Sequence, residues 1–226
     1  RYYALQRLAQ AENKDFLGPE DPVAACDEFI RRAKEFQVGN YRERHSFGEY
    51  EPVLRSLFRP PGPPPQACKS LPPIDWIDFQ DNQFRLAKPG NWSEAVNDAA
   101  ASDGHATRMP GDHDHWTIKC PLSNDFTPRD SWQCTVVARV EASATQGPAM
   151  TMGIYDSTLR KSVVHRTINV DEVSDQQYHI FDLGAHDLTN GMYIWVAPPK
   201  RPGEIEAIYV DRIYLVRAAS SEHAPK

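Results

Sequence analysis

The sequence predicts a mainly β fold, an antiparallel β-sandwich occupying residues 74–217, on three observations. Short apolar or alternating runs recur through that interval, separated by Gly, Pro, Asn and Asp clusters, the pattern of strands joined by turns. No run is followed by a long helical stretch, which argues against a parallel α/β sheet. No period repeats, which argues against a propeller or solenoid.

Strands are expected at 74–79, 83–87, 104–109, 115–119, 132–142, 149–156, 162–170, 177–183, 191–197 and 207–217. Alternation is clearest where Thr135, Val137 and Arg139 interleave with Val136, Ala138 and Val140. The uncharged set is expected to face the core. Trp76 and Trp132 read as core rings.

The residues before the sandwich read differently. Helical spacing runs through residues 1–13. Asp21-Pro22 has the form of an N-cap followed by Pro at the first helical position. Val23, Cys26, Ile30 and Ala33 then share a face, with Phe29 and Phe36 beside it and Gly39 as the stop. A third short helix is expected over 49–58. The proline run from Pro60 to Pro65 reads as a semi-rigid spacer within a linker spanning 60–73, because Pro fixes φ and cannot join a central strand. A short tail, 218–226, is expected to be disordered.

The chain has 226 residues, of which 40% are hydrophobic, enough to build a core. Its net charge of −6 and the lack of any Lys/Arg stripe argue against nucleic acid as a partner. No apolar run approaches the roughly 20 residues that span a bilayer. The opening Arg1-Tyr2-Tyr3 reads as the middle of a longer protein. The cysteines, Cys26, Cys68, Cys120 and Cys134, form no C-x-x-C pair, so a zinc ribbon is not expected. Cys120 and Cys134 fit either a bridge between two strand ends or two small buried hydrophobes. There is no Gly-x-Ser-x-Gly elbow, no phosphate-binding Gly-rich loop and no His-Glu-x-x-His.

Loop-borne aromatics are the natural candidates for sugar recognition, since rings offer large flat apolar faces at small entropic cost. Trp92 follows Pro89-Gly90-Asn91. His113 and Trp116 lie in the polar run Gly111–Trp116, with Arg108 one strand earlier. Tyr193 and Trp195 alternate onto one face of a strand. These six are the expected ligand-binding residues, each weighed against the alternative of a core ring or a surface charge. His113 and His115, with Asp112 or Asp114, form a weaker pattern for a transition metal.

Several stretches taken in order resemble a galactose-binding-like jelly roll. They are Asn91-Trp92, Ala101-Ser102-Asp103-Gly104-His105, His115-Trp116-Thr117-Ile118, the strand Trp132–Val140 and Gly153-Ile154-Tyr155-Asp156. Tyr178–Gly184, Tyr193–Pro198 and Val210–Leu215 extend the match over 74–217. The helical leader and proline linker look like the tail of a larger, glycosidase-like barrel protein carrying such a module at its C-terminus. The resemblance implies a secreted or periplasmic, non-catalytic carbohydrate-binding module that accompanies a parent catalytic domain. It also implies a structural Ca²⁺ between the first and last strands, held by Asp211 with Asp78, Gln80 and Asp103. Such an ion takes about six to eight oxygens. Two other readings stand beside it. One is a small jelly-roll polysaccharide lyase or hydrolase recruiting His113, His165, His179, Tyr155 and Arg139. The other is a sandwich that only docks on its parent enzyme.

Overall fold

The computed structural model describes Ala9, Gly18 and residues 21–35, 58–122 and 131–218. The chain divides into two units, 1–61 and 62–226.

In the first unit, helix α1 spans Pro22–Glu35. Asp21 starts it as its sequence requires: the carboxylate accepts from the amides of Val23 at 2.9 Å and Ala24 at 3.0 Å. Cys26, Ile30 and Ala33 are buried on one face, as the spacing predicts, while Phe29 is exposed. On the solvent side Glu28 pairs with both Arg31 and Arg32. Nearly all of the expected helices at 1–13 and 49–58, the stop at Gly39 and almost all of the tail lie outside the described residues.

The described residues of the second unit form an antiparallel sandwich of eleven strands. These are β1 (Trp76–Gln80), β2 (Arg85–Leu86), β3 (Glu94–Asn97), β4 (His105–Pro110), β5 (Ile118–Pro121) and β6 (Ser131–Ala142), then β7 (Pro148–Asp156), β8 (Lys161–Asn169), β9 (His179–Asp187), β10 (Met192–Ala197) and β11 (Ile205–Arg217). One sheet runs β3-β4-β11-β6-β9, with β1 also on β11; the other runs β2-β5-β10-β7-β8. All ten expected strands form. The eleventh, β3, carries only one half-buried apolar side chain, Val96, so it has no alternation to read.

Between the sheets lies one apolar core, in which Val136, Ala138 and Val140 of β6 meet Met152, Ile154 and Ile194 of the opposite sheet. Trp132 is fully buried there. Cys120 and Cys134 join the same core as free thiols, which is the small-hydrophobe alternative. Burial pushes the Cys134 thiol up to about 12 and Cys120 higher still.

Strand β11 organises the six-stranded sheet. It pairs along one edge with β6, and along the other with β4 in its first half and β1 in its second. A bulge lies between Val210 and Arg212, where Asp211 has no residue opposite it on β6. The extra residue shifts the alternation. Ile208 and Val210 enter the core before it, and Ile213 and Leu215 after it, so Arg212 and Tyr214 face outward.

That outward face is closed by the chain that precedes β1. Cys68, Trp76, Val137 and Tyr214 form a second apolar cluster. The Arg212 guanidinium donates to the Pro63 carbonyl at 2.9 Å. A Cβ on Gly62 would meet the Ser102 carbonyl oxygen at 2.6 Å. Residues 62–75 are therefore a strap packed on the sheet, within the unit that starts at Gly62. The physical reason is that an extended proline run leaves its carbonyls free as acceptors, and a buried arginine takes one of them.

Candidate functional site

The two outer faces of the sandwich differ. On the six-stranded sheet, the area left by the strap is filled by a saturated polar network. Glu94, Arg108, Tyr209 and Arg139 lie opposite one another across four strands. Arg108 pairs with Glu94 at 3.1 Å, and the Arg139 guanidinium sits 3.7 Å from the Tyr209 ring centroid. Arg139 also pairs with Asp98 at 2.8 Å and Glu141 at 2.7 Å, and Tyr178 donates to Asp98 at 2.8 Å. Burial pushes the Asp98 carboxyl up, but the Tyr178 hydroxyl, the Ala100 amide and Arg139 outweigh it and hold it below the usual range. Every one of these groups has its partner within the network.

The outer face of the five-stranded sheet carries rings instead. Its strands place Ile118, Cys120, Ile194 and Val196 inward, so Lys119, Tyr193 and Trp195 point outward. Register then sets two rows. One runs Arg85, Lys119, Trp195, Gly153, His165; the other runs Pro121, Tyr193, Tyr155. Trp116, from the loop before β5, lies over Trp195 with ring centroids 4.3 Å apart and planes 10° apart. Tyr155 meets the edge of Trp116 at 5.2 Å, and His165 stacks on Trp195 at 5.5 Å. Gly153 leaves room for the lower indole. A Cβ there would lie 2.2 Å from the Val164 carbonyl oxygen and 3.1 Å from Trp195 Cζ2.

Trp116 is the partly exposed plate and Trp195, 2% exposed, its support. The Trp195 indole N–H has no hydrogen-bond partner among the described residues, at a cost of about 1–3 kcal/mol for a buried donor. Beside the plate, Arg85, Lys119, Pro121, Tyr193, Ser157 and Gly191 line a groove of 440 Å³. We expect Gly153→Ala to force β7 from β8 and tilt Trp195. Stability in urea unfolding should fall by about 1–3 kcal/mol, with the platform losing its flatness.

Of the six expected ligand-binding residues, the fold brings together Trp116, Tyr193 and Trp195. Arg108 lies on the opposite sheet, within the polar network. Trp92 and His113 form a second stack. His115 lies on Trp92 at 4.0 Å, Lys88 covers the ring at 3.8 Å, and His113 stands 5.5 Å away. Among the described residues no ring contact joins the two stacks. Tyr155, His165, Lys119 and Arg85 were not expected at the platform. Their outward parity is readable for Lys119, between Ile118 and Cys120, but its place beside Trp195 depends on register.

His113 is buried, its Nε2 3.1 Å from the Trp92 carbonyl oxygen and its Nδ1 without a partner among the described residues. A neutral ring suffices there, since Nε2–H can donate to the carbonyl; a second proton would be buried with no acceptor. Burial lowers its pKa, against the raising influence of the Trp92 carbonyl and of Asp112 and Asp114. The sign follows by linkage: the unfolded chain takes the proton first. His113 is expected to contribute no pH dependence above about 6.5, and to cost stability as pH falls from there through the lowered folded value. Melting temperatures of wild type and His113→Gln between pH 8 and pH 5 check this, the wild type losing more.

The residues expected to hold Ca²⁺ do gather at the bulge, but around an arginine. The Arg212 side chain, 4% exposed, approaches Asp78 at 3.3 Å and Asp211 at 3.5 Å. Asp211 also accepts from the Ser102 hydroxyl at 2.7 Å and amide at 3.1 Å, and Gln80 donates to Asp78 at 2.7 Å. Asp103 accepts from the His105 amide. Burial pushes the Asp211 carboxyl up, against Ser102 and Arg212. A guanidinium between the carboxylates and an amide nitrogen turned on Asp78 do not fit a Ca²⁺ shell. Among the described residues no group of three or more His, Cys, Asp and Glu is placed to hold a metal.

No protein-family profile matches the chain, and no curated protein matches it. Solved structures do show likeness. The CBM22-1 xylan-binding domain of Xyn10C from Paenibacillus barcinonensis is 12% identical, with 63% of this chain and 95% of that domain covered at a TM-score of 0.43. The CBM36-1 domain of a multidomain xylanase from the hindgut metagenome of Trinervitermes trinervoides is 9% identical, over 64% of this chain and 99% of that one, at 0.45. The insecticidal crystal protein Cry2Aa is 10% identical, over 63% of this chain and 21% of that one, at 0.43. So distant a likeness, shared by proteins of different roles, leaves function to the site itself.

Proposed function

We propose that the unit from Gly62 onward is a non-catalytic polysaccharide-binding module, and that its binding surface is the outer face of the five-stranded sheet. The observation that carries this reading is the Trp116 plate stacked on Trp195, held on a rigid sheet beside a groove. A pyranose ring presents axial C–H groups to an aromatic face, and Trp116 offers that face with its orientation already fixed, so little entropy is lost on binding. Tyr155 and Tyr193, 5.5 Å apart, extend the aromatic surface along the sheet. Action beside a polysaccharide-degrading catalytic domain is part of the same proposal, supported by the division of the chain into two units at residues 61 and 62.

The lyase reading has less support. Tyr155 and His165 stand on the five-stranded sheet, Arg139 and His179 on the six-stranded one, and His113 in the loop before β5, so the five do not share a cleft. Native affinity electrophoresis through gels containing xylan, mannan, mixed-linkage glucan or pectin tests the proposal. Retarded migration in at least one gel, without release of reducing ends or unsaturated products, is expected. Migration unchanged in all of them would refute it.

A further inference from the structure

We infer that the ligand carries carboxylates: the platform is built for a uronic-acid-bearing polysaccharide, with Arg85 and Lys119 as the residues that select it. This rests on the polysaccharide-binding reading above and names the class of glycan.

Arg85 of β2 and Lys119 of β5 are direct cross-strand partners, both turned outward. Like charges placed opposite one another in an antiparallel pair destabilise it. Elsewhere in this acidic chain, with its net charge of −6, the arginines that lie within the strands of the sandwich have carboxylate partners: Arg108 has Glu94, Arg139 has Asp98 and Arg217 has Asp75, while Arg160 stands in a turn. Arg85 and Lys119 pair with no carboxylate among the described residues. The described walls of the groove they line bear no Asp or Glu. The nearest acid along the chain, Asp156, is buried and committed to its own turn, accepting from the amides of Thr158 at 2.8 Å and Leu159 at 2.9 Å.

The two cations also stand where a sugar acid would reach them. Lys119 is the register partner of Trp195, and its ammonium lies 5.3 Å from the Tyr193 ring centroid. A chain laid on Trp116 and Tyr193 therefore passes the edge where both charges are presented. A guanidinium can take a carboxylate through two parallel hydrogen bonds, and the ammonium adds a point charge. A neutral glycan can accept hydrogen bonds from either group but gains no ion pair and no bidentate carboxylate contact.

The test uses native affinity gels with polygalacturonate, alginate and glucuronic-acid-substituted xylan, each beside the same polymer after chemical reduction of its carboxyls. Dextran sulfate serves as a control for unspecific charge. We expect the full chain to bind at least one carboxylated polymer about tenfold more tightly than its reduced form, an advantage that shrinks with added salt. Arg85→Gln/Lys119→Met should bring that ratio near one without lowering the melting temperature, since a like-charge pair is removed. Equal binding of carboxylated and reduced forms would overturn the inference and leave the platform standing. So would retention on dextran sulfate as strong as on the uronates. Retention on none of these polymers nor on the neutral ones would remove the binding reading as well.

Discussion

Arg212→Met is expected to destabilise the sandwich unit by ~3–5 kcal/mol, a fall in melting temperature of roughly 6–20 °C for a unit of this size. The side chain is 4% exposed and stands between the carboxylates of Asp78 and Asp211, which are 4% and 5% exposed. Met matches its volume and apolar stem but withdraws the only element of the trio that is positively charged. Asp78 and Asp211 then face each other with their burial penalty increased, and the strap loses the bond to the Pro63 carbonyl. Arg212→Lys should recover part of the loss, because it keeps the charge and gives up the fork. A chelator should leave the wild-type melting temperature unchanged, as the guanidinium already occupies the cation's place. Thermal unfolding followed by near-ultraviolet circular dichroism measures all three. A loss under about 1 kcal/mol for Arg212→Met would show that the cluster does not hold the strap.

Trp116→Ala is expected to weaken polysaccharide binding about 30-fold, the ~2 kcal/mol typical of a truncated aromatic anchor. Its effect on stability should be small by comparison, since Trp116 lies outside the core and is partly exposed. Trp195→Ala differs in kind. It removes the support, empties a site that is 2% exposed, and should lower stability by ~3–5 kcal/mol together with binding. Quantitative affinity electrophoresis beside thermal melts separates the two variants. A Trp116→Ala protein with unaltered retention would move the binding surface elsewhere on the sandwich.

The strands were legible because most of them alternate or run apolar between turn residues. Strand β6 shows this best, with Val136, Ala138 and Val140 inward and Arg139 outward. Strand β3 was not legible, as Glu94-Ala95-Val96-Asn97 packs at a sheet edge and buries little. The place of the proline run was not legible either. Fixed φ predicts stiffness, but whether a stiff segment spans solvent or lies on a sheet depends on what it meets, here Arg212 and Ser102.

The site was half legible. Tyr193 and Trp195 had to share a face, and a Trp after a polar turn had to sit near a surface. That Trp116 covers Trp195 is a matter of loop path, which no local pattern encodes. Arg108 belonged to the right residue type on the wrong sheet, since a strand's sheet is set by pairing across the whole chain. At the bulge, the sequence Val210-Asp211-Arg212-Ile213 shows adjacent opposite charges but not that an extra residue there leaves both buried, with Arg212 beneath the strap.

Amide chemical-shift mapping during titration with a polysaccharide-derived oligosaccharide bears most directly on which face binds. The account predicts shifts concentrated on Lys119, Gly153, Tyr155, His165, Tyr193 and Trp195, with the Trp116 indole signal moving most. Shifts confined to Arg108, Arg139, Tyr178 and Tyr209, or to Lys88 and Trp92, would contradict it.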